Sequence, residues 1–271
     1  MLDRTGRIVH HMTWTDAADP ARRVGRAVEF HPEIGSTNDR ARELVETDGA
    51  GIAVVTDLQT AGRGRRGRTW TSPAGANLMC SVGIRPSLAA RDAGLLGASV
   101  ALAVLTACRP WAALAVRWPN DLVAVDGAKV AGLLLETSIV GDALTHAVLG
   151  VGINANWARA DMPAELRDTA TSLTELAGRP LDRVALLAGL LSALDDEVTR
   201  LERGASPVER LRAVSWLDGR ALEVDTGDGV VSGTGAGIAD DGSLLLDTAD
   251  GRLALGHGEV VRVRAHDGVA A

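Results

Sequence analysis

The segment from Gln59 to Trp70 holds the densest set of chemically capable side chains in the chain. It contains four arginines and three glycines in seven consecutive residues, 62–68. Each guanidinium presents a planar set of donors that suits a carboxylate or a phosphate, and glycine lets the backbone approach a ligand closely. The segment therefore predicts a loop that binds an anionic ligand. A solvated basic loop or a general polyanion-binding patch explains the same residues equally well at this point.

The rare polar residues of the chain fall in a few short motifs. Lys129 is the only lysine among 28 basic residues, Gln59 is the only glutamine, and the five asparagines all lie before residue 160. In the run KVAGLLLE, Lys129 leads an apolar strand, where an ammonium group is partly desolvated unless an anion matches it. This concentration indicates one shared polar site, because compositional drift would not place the rare residues in the same motifs.

Three other motifs admit both a structural and a functional interpretation. Ser36 or Thr37 in GSTN can cap the helix that follows, and the same hydroxyl and free amides can bind a polar head group. In RWPND, Pro119 marks the edge or break of a strand and predicts that Asn120 and Asp121 turn outward, although a simple turn gives the same pattern. GVGINAN at a strand end permits close backbone approach, but Gly-x-Gly alone is weak evidence.

The hydrophobic pattern predicts an α+β fold. Residues 157–180 are expected to be irregular, and five short strands with glycine-rich turns after residue 218 predict a small β-barrel. The remaining elements are expected as strands at 27–30, 52–56, 78–84, 122–125, 129–136 and 147–153, and as helices at 92–108, 181–202 and 206–216.

The bulk composition limits the classes of function. The net charge of −7 disfavours general affinity for nucleic acid, which requires a broad positive field. Cys80 and Cys108 form neither a zinc pattern nor a disulfide framework. With no apolar export signal and no evident apolar run of about 18 residues, we expect a soluble cytoplasmic protein that binds neither membrane nor nucleic acid.

Six motifs in this order resemble the biotin protein ligase family: GSTN (35–38), QTAGRGRRGRTW (59–70), GANL (75–78), RWPND (117–121), KVAGLLLE (129–136) and GVGINAN (150–156). The resemblance implies a mixed-sheet catalytic domain of the biotin/lipoate ligase type at 29–217. A small SH3-like β-barrel is expected at 218–271, and an N-terminal tail at 1–28. The N-terminal region is shorter than in members with a DNA-binding domain, and Arg117 stands where lysine is common.

The resemblance also implies the chemistry. Such enzymes form biotinyl-5′-adenylate from biotin and ATP with Mg²⁺ and pass the biotin to one lysine of a biotin carboxyl carrier domain. A monomer or weak homodimer is expected, and the sequence identifies no metal ligands. A lipoate- or octanoate-type ligase and a biotin-sensing regulator remain as alternatives.

The site residues implied by the resemblance fall into two sets. The catalytic set is Lys129, Arg63, Arg65 and Asp121. The set that binds biotin or nucleotide is Ser36, Thr37, Asn38, Gln59, Arg63, Gly64, Arg65, Trp70, Asn120, Lys129, Gly132 and Asn154. The loops at 62–70 and 155–165 are expected to close over the intermediate, with Trp70 as an apolar lid that excludes water.

Overall fold

The computed structural model describes residues 13–264, which form two β-sheets and six α-helices. Of the predicted N-terminal tail, residues 1–12 lie outside the described residues. The rest of the tail contains a 3-10 turn at Trp14–Ala17, whose tryptophan stacks on Phe30. The chain enters the first strand at Ala27, as the sequence predicted.

The larger sheet carries the predicted site residues. Its strands lie in the order β1-β2-β3-β8-β7-β6-β5, with β4 paired to β8. Strands β1 and β2 are parallel and the other ladders are antiparallel, so the predicted mixed sheet is confirmed. The strands are β1 (Ala27–Ile34), β2 (Ile52–Gln59), β3 (Leu78–Ile84), β4 (Leu88–Ala89), β5 (Ala115–Arg117), β6 (Asp121–Val123), β7 (Lys129–Val140) and β8 (Ala143–Ile153).

Helices cover both faces of this sheet. Helix α1 packs Ala41 and Val45 against Val54 and Val148 on one face, and α2 and α5 contribute to the large core on the other. The helices are α1 (Thr37–Glu46), α2 (Ala93–Cys108), α3 (Ala164–Arg167), α4 (Leu173–Ala177), α5 (Arg183–Glu202) and α6 (Val208–Arg212).

Two predicted helices have different bounds in the structure. Helix α5 begins at Arg183 rather than at Leu181, because the Asp182 carboxylate accepts from the backbone N–H of Val184 at 2.8 Å and caps the helix there. The helix predicted over 206–216 is confined to α6. Beyond it, Ser215 and its neighbours bridge to Val116 in β5 instead of continuing the helix. The stretch predicted as irregular contains the short helices α3 and α4.

Among the described residues, one helical stretch is long and apolar enough to cross a membrane by length and composition. It is Ala90–Cys108, which has 19 residues and contains an 18-residue window with a mean hydropathy of 1.4, of which 56% is buried inside the fold. Helix α2 forms most of this stretch and packs against α5 in the main core. The prediction from the sequence is that the chain has no apolar run of about 18 residues.

The five predicted C-terminal strands form one antiparallel sheet in the order β12-β11-β10-β9-β13. Its apolar residues belong to the same buried cluster as the larger sheet, and the Trp118 indole donates to Gly242 O at 3.2 Å. The small sheet is therefore docked onto the site-bearing part of the fold. Its strands are β9 (Ala221–Asp225), β10 (Val230–Ile238), β11 (Leu244–Thr248), β12 (Gly251–Leu255) and β13 (Glu259–Arg264).

Helix α1 lies so close to the sheet that β3 has no room for a side chain at Gly83. A Cβ there would lie 2.6 Å from Ala41 O and from Val45 Cβ. We expect Gly83→Ala to lower the free energy of unfolding by about 1–3 kcal/mol, because α1 must move away from the sheet. Urea denaturation measures this change.

The matched control is Gly97→Ala in α2, where the nearest atom to a new Cβ is 3.8 Å away. Alanine is the better helix former, so we expect this variant to be neutral or more stable by up to about 1 kcal/mol. Equal destabilisation of both variants would contradict the close approach of α1.

Candidate active site

One cavity of about 660 Å³ brings the predicted site residues together. Its floor is the face of β7 and β8 that also carries α1, and its walls come from α1, the Gln59–Trp70 loop, β6, residues 157–170 and the start of β13. All thirteen predicted site residues line it: Ser36, Thr37, Asn38, Gln59, Arg63, Gly64, Arg65, Trp70, Asn120, Asp121, Lys129, Gly132 and Asn154.

The start of α1 forms an uncharged polar end of the cavity. Ser36 occupies the N-cap position, as predicted, but within the described part of the chain its buried hydroxyl makes no capping bond. The Thr37 backbone N–H donates to Gln59 Oε1 at 2.8 Å, which leaves the Gln59 amide N–H group with only a 3.6 Å contact to the Met79 sulfur. A free hydroxyl and a nearly free amide donor thus remain for a ligand.

A chain of hydrogen bonds fixes Asn38 at this end. Asn38 Nδ2 donates to Glu136 Oε2 at 2.8 Å, so its Oδ1 must be the atom that accepts from Ser81 Oγ at 2.6 Å. Because the single Ser81 hydroxyl proton is used there, the Thr37 hydroxyl is the donor in its 2.7 Å contact with Ser81, and the same hydroxyl lies 3.1 Å from a second acceptor, Gln59 Oε1. The polar end is therefore pre-ordered.

Glycines in β7 and β8 make the floor of the cavity. Gly132 and Gly152 face each other across the ladder, and a Cβ on Gly150 would lie 2.2 Å from Asn38 Oδ1. The Trp70 indole lies on this floor, with ring atoms 3.0 Å and 2.6 Å from where a Cβ would stand on Gly132 and Gly152. Trp70 was expected as a lid, but the structure places its ring against the sheet because the glycines leave a flat surface there.

Lys129 and Asp121 form the charged end of the cavity. Lys129 Nζ lies 2.7 Å from Asp121 Oδ1 and 5.5 Å from the Trp70 ring centroid, and Arg117 Nη2 lies 2.9 Å from Asp121 Oδ2. The Lys129 contact is an ion pair rather than a well-directed hydrogen bond. Asp121 thus supplies an anion beside the ammonium at the start of β7.

The charge state of Asp121 follows from these neighbours. Burial opposes its ionisation, but the positive charges of Lys129 and Arg117 outweigh burial and hold the pKa of the carboxyl below its ordinary value. The prediction that Asn120 and Asp121 turn outward is wrong, since both line the cavity and are partly buried. The Asn120 amide donates to Leu133 O at 2.9 Å, which ties the motif to β7.

The loop arginines differ in how their charges are matched. Arg63 Nη2 lies 2.6 Å from Asp39 Oδ1 and 3.3 Å from Glu136 Oε1. Arg65 is half-buried and reaches only uncharged oxygens, Asn120 Oδ1 at 3.4 Å and Gly258 O at 3.3 Å. Among the described residues no carboxylate forms an ion pair with it. Burial lowers the pKa of Arg65, with Glu259 and Asp121 opposing and Arg66 reinforcing that shift.

Asn154 supports the site rather than facing a ligand. Its amide donates to Thr171 O at 3.1 Å and to Lys129 O at 3.4 Å, and so fixes the backbone at the start of β7. Its backbone N–H donates to Val130 O at 2.8 Å. The first asparagine of GVGINAN, Asn154, therefore positions the backbone of Lys129.

Several residues that build the site were not identified from the sequence. Ser81 carries the one hydroxyl in the fully buried strand LMCSVGI. A polar residue in an otherwise apolar strand is the sequence signal that could have identified it. Glu136 ends the KVAGLLLE motif but carried no assigned role, although it binds Asn38, Arg42 and Arg63. Trp157 lines the far side of the cavity and is almost fully buried, and nothing local in the sequence marks it.

Two family models match the chain. The Biotin/lipoate A/B protein ligase family matches residues 32–154, and the biotin protein ligase C terminal domain matches residues 219–263. The two matches cover the site-bearing sheet and the small C-terminal sheet.

Individual proteins are similar over most of the chain. The bifunctional ligase/repressor BirA of Bacillus subtilis is 33% identical over 233 residues, which is 84% of this chain and 71% of that protein. The biotin--[acetyl-CoA-carboxylase] ligase of Mycobacterium tuberculosis is 34% identical over 250 residues, which is 88% of this chain and 90% of that protein. The biotin protein ligase from Aquifex aeolicus in complex with biotin and ATP superimposes with a TM-score of 0.71 at 28% identity, covering 88% of this chain and 98% of that one.

The lowered pKa of Asp121 makes a prediction about stability. A carboxyl whose pKa is depressed by folding stabilises the protein above its unfolded pKa, and that stabilisation is lost as the pH falls through the folded pKa. We expect Asp121→Asn to lower the Tm at neutral pH, because Lys129 and Arg117 then face each other without an anion. The difference from wild type should begin to shrink as the pH falls below about 4, the ordinary pKa of an aspartate, and should be lost only below the lower pKa of the folded protein, where the wild-type carboxyl also becomes neutral. A Tm difference that is constant from pH 7 to pH 3 would contradict this account.

Proposed function

Because the chain belongs to the biotin/lipoate A/B protein ligase family and is a biotin ligase, we propose that it activates biotin with ATP and transfers it to a carrier lysine. In the first step a biotin carboxylate oxygen attacks the α-phosphorus of ATP, the bond to the β-phosphate oxygen breaks, and pyrophosphate leaves. In the second step a lysine amine attacks the carbonyl carbon of biotinyl-5′-adenylate, AMP leaves, and an amide forms. The acceptor is a biotin carboxyl carrier domain.

One observation carries this proposal. A single cavity joins an uncharged, pre-ordered polar end at α1 to a cationic end at Lys129 and Arg65, with a flat apolar floor between them. A ligand that suits it has a neutral polar head, an apolar middle and an anionic end. Biotin meets that description through its ureido ring, its alkyl chain and its carboxylate.

At the polar end, the ureido group is assigned to the Ser36 hydroxyl and the Gln59 amide. A ureido carbonyl accepts hydrogen bonds and its N–H groups donate, so it needs both kinds of partner. Thr37, Ser81 and Asn38 hold these groups in place through the hydrogen-bond chain. The glycine floor accommodates the thioether ring and the alkyl chain beside Trp70.

At the cationic end, two anions must approach each other. The biotin carboxylate and the α-phosphate repel, and Lys129 and Arg65 lie where they can neutralise both. Arg65 carries a half-buried charge with no carboxylate partner among the described residues, so a phosphate oxygen would relieve its desolvation. Arg63 is already held by Asp39 and Glu136, and we assign it to anchoring the loop. The wall formed by Trp157, Leu166 and Ala170 offers an apolar surface for the adenine ring.

Asp121 is assigned an orienting role in the transfer step. The resemblance placed Asp121 in the catalytic set. Its carboxylate is paired with Lys129 and Arg117 and has a lowered pKa, which makes it a weak base. It fixes the Lys129 ammonium beside the reacting groups.

Mg²⁺ would neutralise the leaving pyrophosphate when bound. No group of three or more histidine, cysteine or acidic residues within 13–264 could cage a metal ion. Asp121 and Glu259 line the cavity but are paired with basic side chains, and Glu165 is exposed at its rim. These residues fit an ion held mainly by phosphate oxygens and water rather than a protein cage.

The test is biotin-dependent exchange of ³²P-labelled pyrophosphate into ATP, with lipoate and octanoate as control substrates. Exchange that occurs with biotin but not with lipoate or octanoate supports the proposal. Faster exchange with lipoate or octanoate would favour a lipoate- or octanoate-type ligase. Transfer is tested separately with a purified biotin carboxyl carrier domain and with the same domain lacking its acceptor lysine.

We expect Lys129→Ala to lower the exchange rate by about 10²–10³-fold, as loss of one preorganised charge-stabilising group does. The circular dichroism spectrum should remain that of wild type. The control is Arg252→Ala, which removes an exposed cation on the small C-terminal sheet. Near-normal exchange by folded Lys129→Ala would show that the lysine does not stabilise the reacting charges.

We expect Arg65→Gly to form the adenylate but to retain it poorly, because the guanidinium that would bind the intermediate is gone. Incubation with ATP, biotin and a lysine-rich bystander protein should then label the bystander several-fold faster than wild type does. If the bystander is labelled at the wild-type rate while carrier labelling is normal, Arg65 does not retain the intermediate.

A further inference from the structure

Three of the four arginines in the Gln59–Trp70 loop contact the small C-terminal sheet. Arg66 Nη1 lies 2.6 Å from Asp225 Oδ2, and Arg66 Nη2 donates to Asp225 O at 3.1 Å. Arg68 Nη1 lies 2.7 Å from Glu259 Oε1, and Arg65 Nη1 donates to Gly258 O at 3.3 Å. The contacts come from the end of β9 and the start of β13.

The Arg66 backbone is part of this arrangement. At φ 53° and ψ 36° it is the one non-glycine residue with positive φ within residues 13–264. L-residues adopt this region at a cost, so a tertiary contact must hold the loop in it. Contact with both the side chain and the backbone carbonyl of Asp225 provides such a constraint.

Asp225 is oriented before it meets the loop. Its Oδ1 accepts from the backbone N–H of Gly227 at 2.8 Å, and Gly227 itself has φ +95° in the turn after β9. The bond from Gly227 and then the charge-assisted contact with Arg66 lower the pKa of Asp225. The carboxylate therefore presents its second oxygen in a fixed direction.

The opposite end of the loop is fixed elsewhere. Arg63 contacts Asp39 on α1 and Glu136 on β7, while Arg66 and Arg68 contact the C-terminal sheet. The loop thus crosses the cavity between two anchors. Arg65, the loop cation without a carboxylate partner among the described residues, lies between them and lines the cavity, as do Glu259 and Val260.

We propose that Asp225 and Glu259 are positioning residues that hold the loop from Gly62 to Trp70 across the cavity, so that the C-terminal sheet controls retention of the activated intermediate. The retention part rests on the proposed function, whereas the loop-holding part does not. Exposed ion pairs of this kind add little to global stability, so the expected effect is local order in the loop.

Trypsin tests loop holding without any substrate, because the loop offers four arginyl bonds. The variants are Asp225→Asn, Glu259→Gln and the double variant. The control is Asp247→Asn, which removes an ion pair with Arg252 on the same small sheet, away from the loop. Cleavage after Arg63 is followed by mass spectrometry at low ionic strength, and Tm values confirm that each variant is folded.

We expect each single variant to be cleaved up to about 5-fold faster than wild type, and the double variant faster still, because cleavage follows the open population of the loop. The control should be cleaved at the wild-type rate. Salt should accelerate cleavage of wild type relative to an unstructured peptide and leave the double variant nearly unchanged. Equal cleavage of all variants would overturn the proposal, whatever their activity.

A double-mutant cycle separates a direct contact from general loosening of the small sheet. Arg66→Gln and Asp225→Asn should each accelerate cleavage after Arg63, and the combined variant should be no faster than the faster single one. Asp225→Glu should restore most of the protection. Additive effects, or no rescue by glutamate, would contradict a specific Arg66–Asp225 contact.

Enzyme assays then test the retention part. The double variant should keep pyrophosphate exchange within a few-fold of wild type, raise the KM for ATP more than it lowers kcat, and label a lysine-rich bystander several-fold faster. Biotinylation of the enzyme's own lysines competes little with labelling of the bystander, because Lys129 is the chain's only lysine. Faster loop cleavage without faster bystander labelling would refute control of retention. Absence of exchange in wild type would refute the proposed function and leave the trypsin result standing.

Discussion

The site depends on how closely side chains can approach the sheet at β7 and β8. Gly132, Gly150 and Gly152 leave the backbone bare, and any Cβ on Gly150 or Gly152 would occupy space now held by Asn38 or Trp70. Side chains at these positions would push α1 and the arginine loop away from the sheet and fill the cavity. The glycines weaken the strands intrinsically, and the long β7–β8 ladder between apolar neighbours compensates for that weakness.

From this floor, the two ends of the cavity are ordered by different means. The polar end is ordered mainly by hydrogen bonds between uncharged groups, which Asn38 ties to the Glu136 carboxylate, so the remaining free donors are few and directed. The charged end is ordered by ion pairs, which are less directional but act over longer distances. A cavity with one hydrogen-bonding end and one charged end suits a ligand whose head is recognised by shape and hydrogen bonds and whose other end undergoes a change in charge.

The sequence predicted the sheet, α2, α5 and the gathering of the rare residues, because these depend on local periodicity and on motifs that each fold as one unit. It did not predict that Ser81 and Trp157 line the cavity or that Glu136 holds Asn38 and Arg63 beside it, since these roles arise from contacts between distant segments. The orientation of Asp121 was also predicted wrongly, because Arg117 across the β5–β6 hairpin and Lys129 on β7 hold its carboxylate in the cavity wall. The domain boundaries at residues 28 and 217 stay predictions, and the buried cluster shared by both sheets shows that a boundary in the chain need not be a gap in the core.

The pattern of matched and unmatched cations explains how the loop can be both basic and ordered. Arg63, Arg66, Arg68, Arg117 and Lys129 each have a carboxylate within 3 Å. Four loop arginines without partners would repel one another and favour an open loop, whereas paired ones become structural supports. Arg65 is the exception among the four loop arginines. Within the described residues it reaches only neutral oxygens, and its burial makes the charge costly. An anion would gain more binding free energy beside Arg65 than beside a paired arginine, because at Arg65 it displaces no carboxylate. The pairs therefore concentrate anion affinity at one residue of a strongly basic segment.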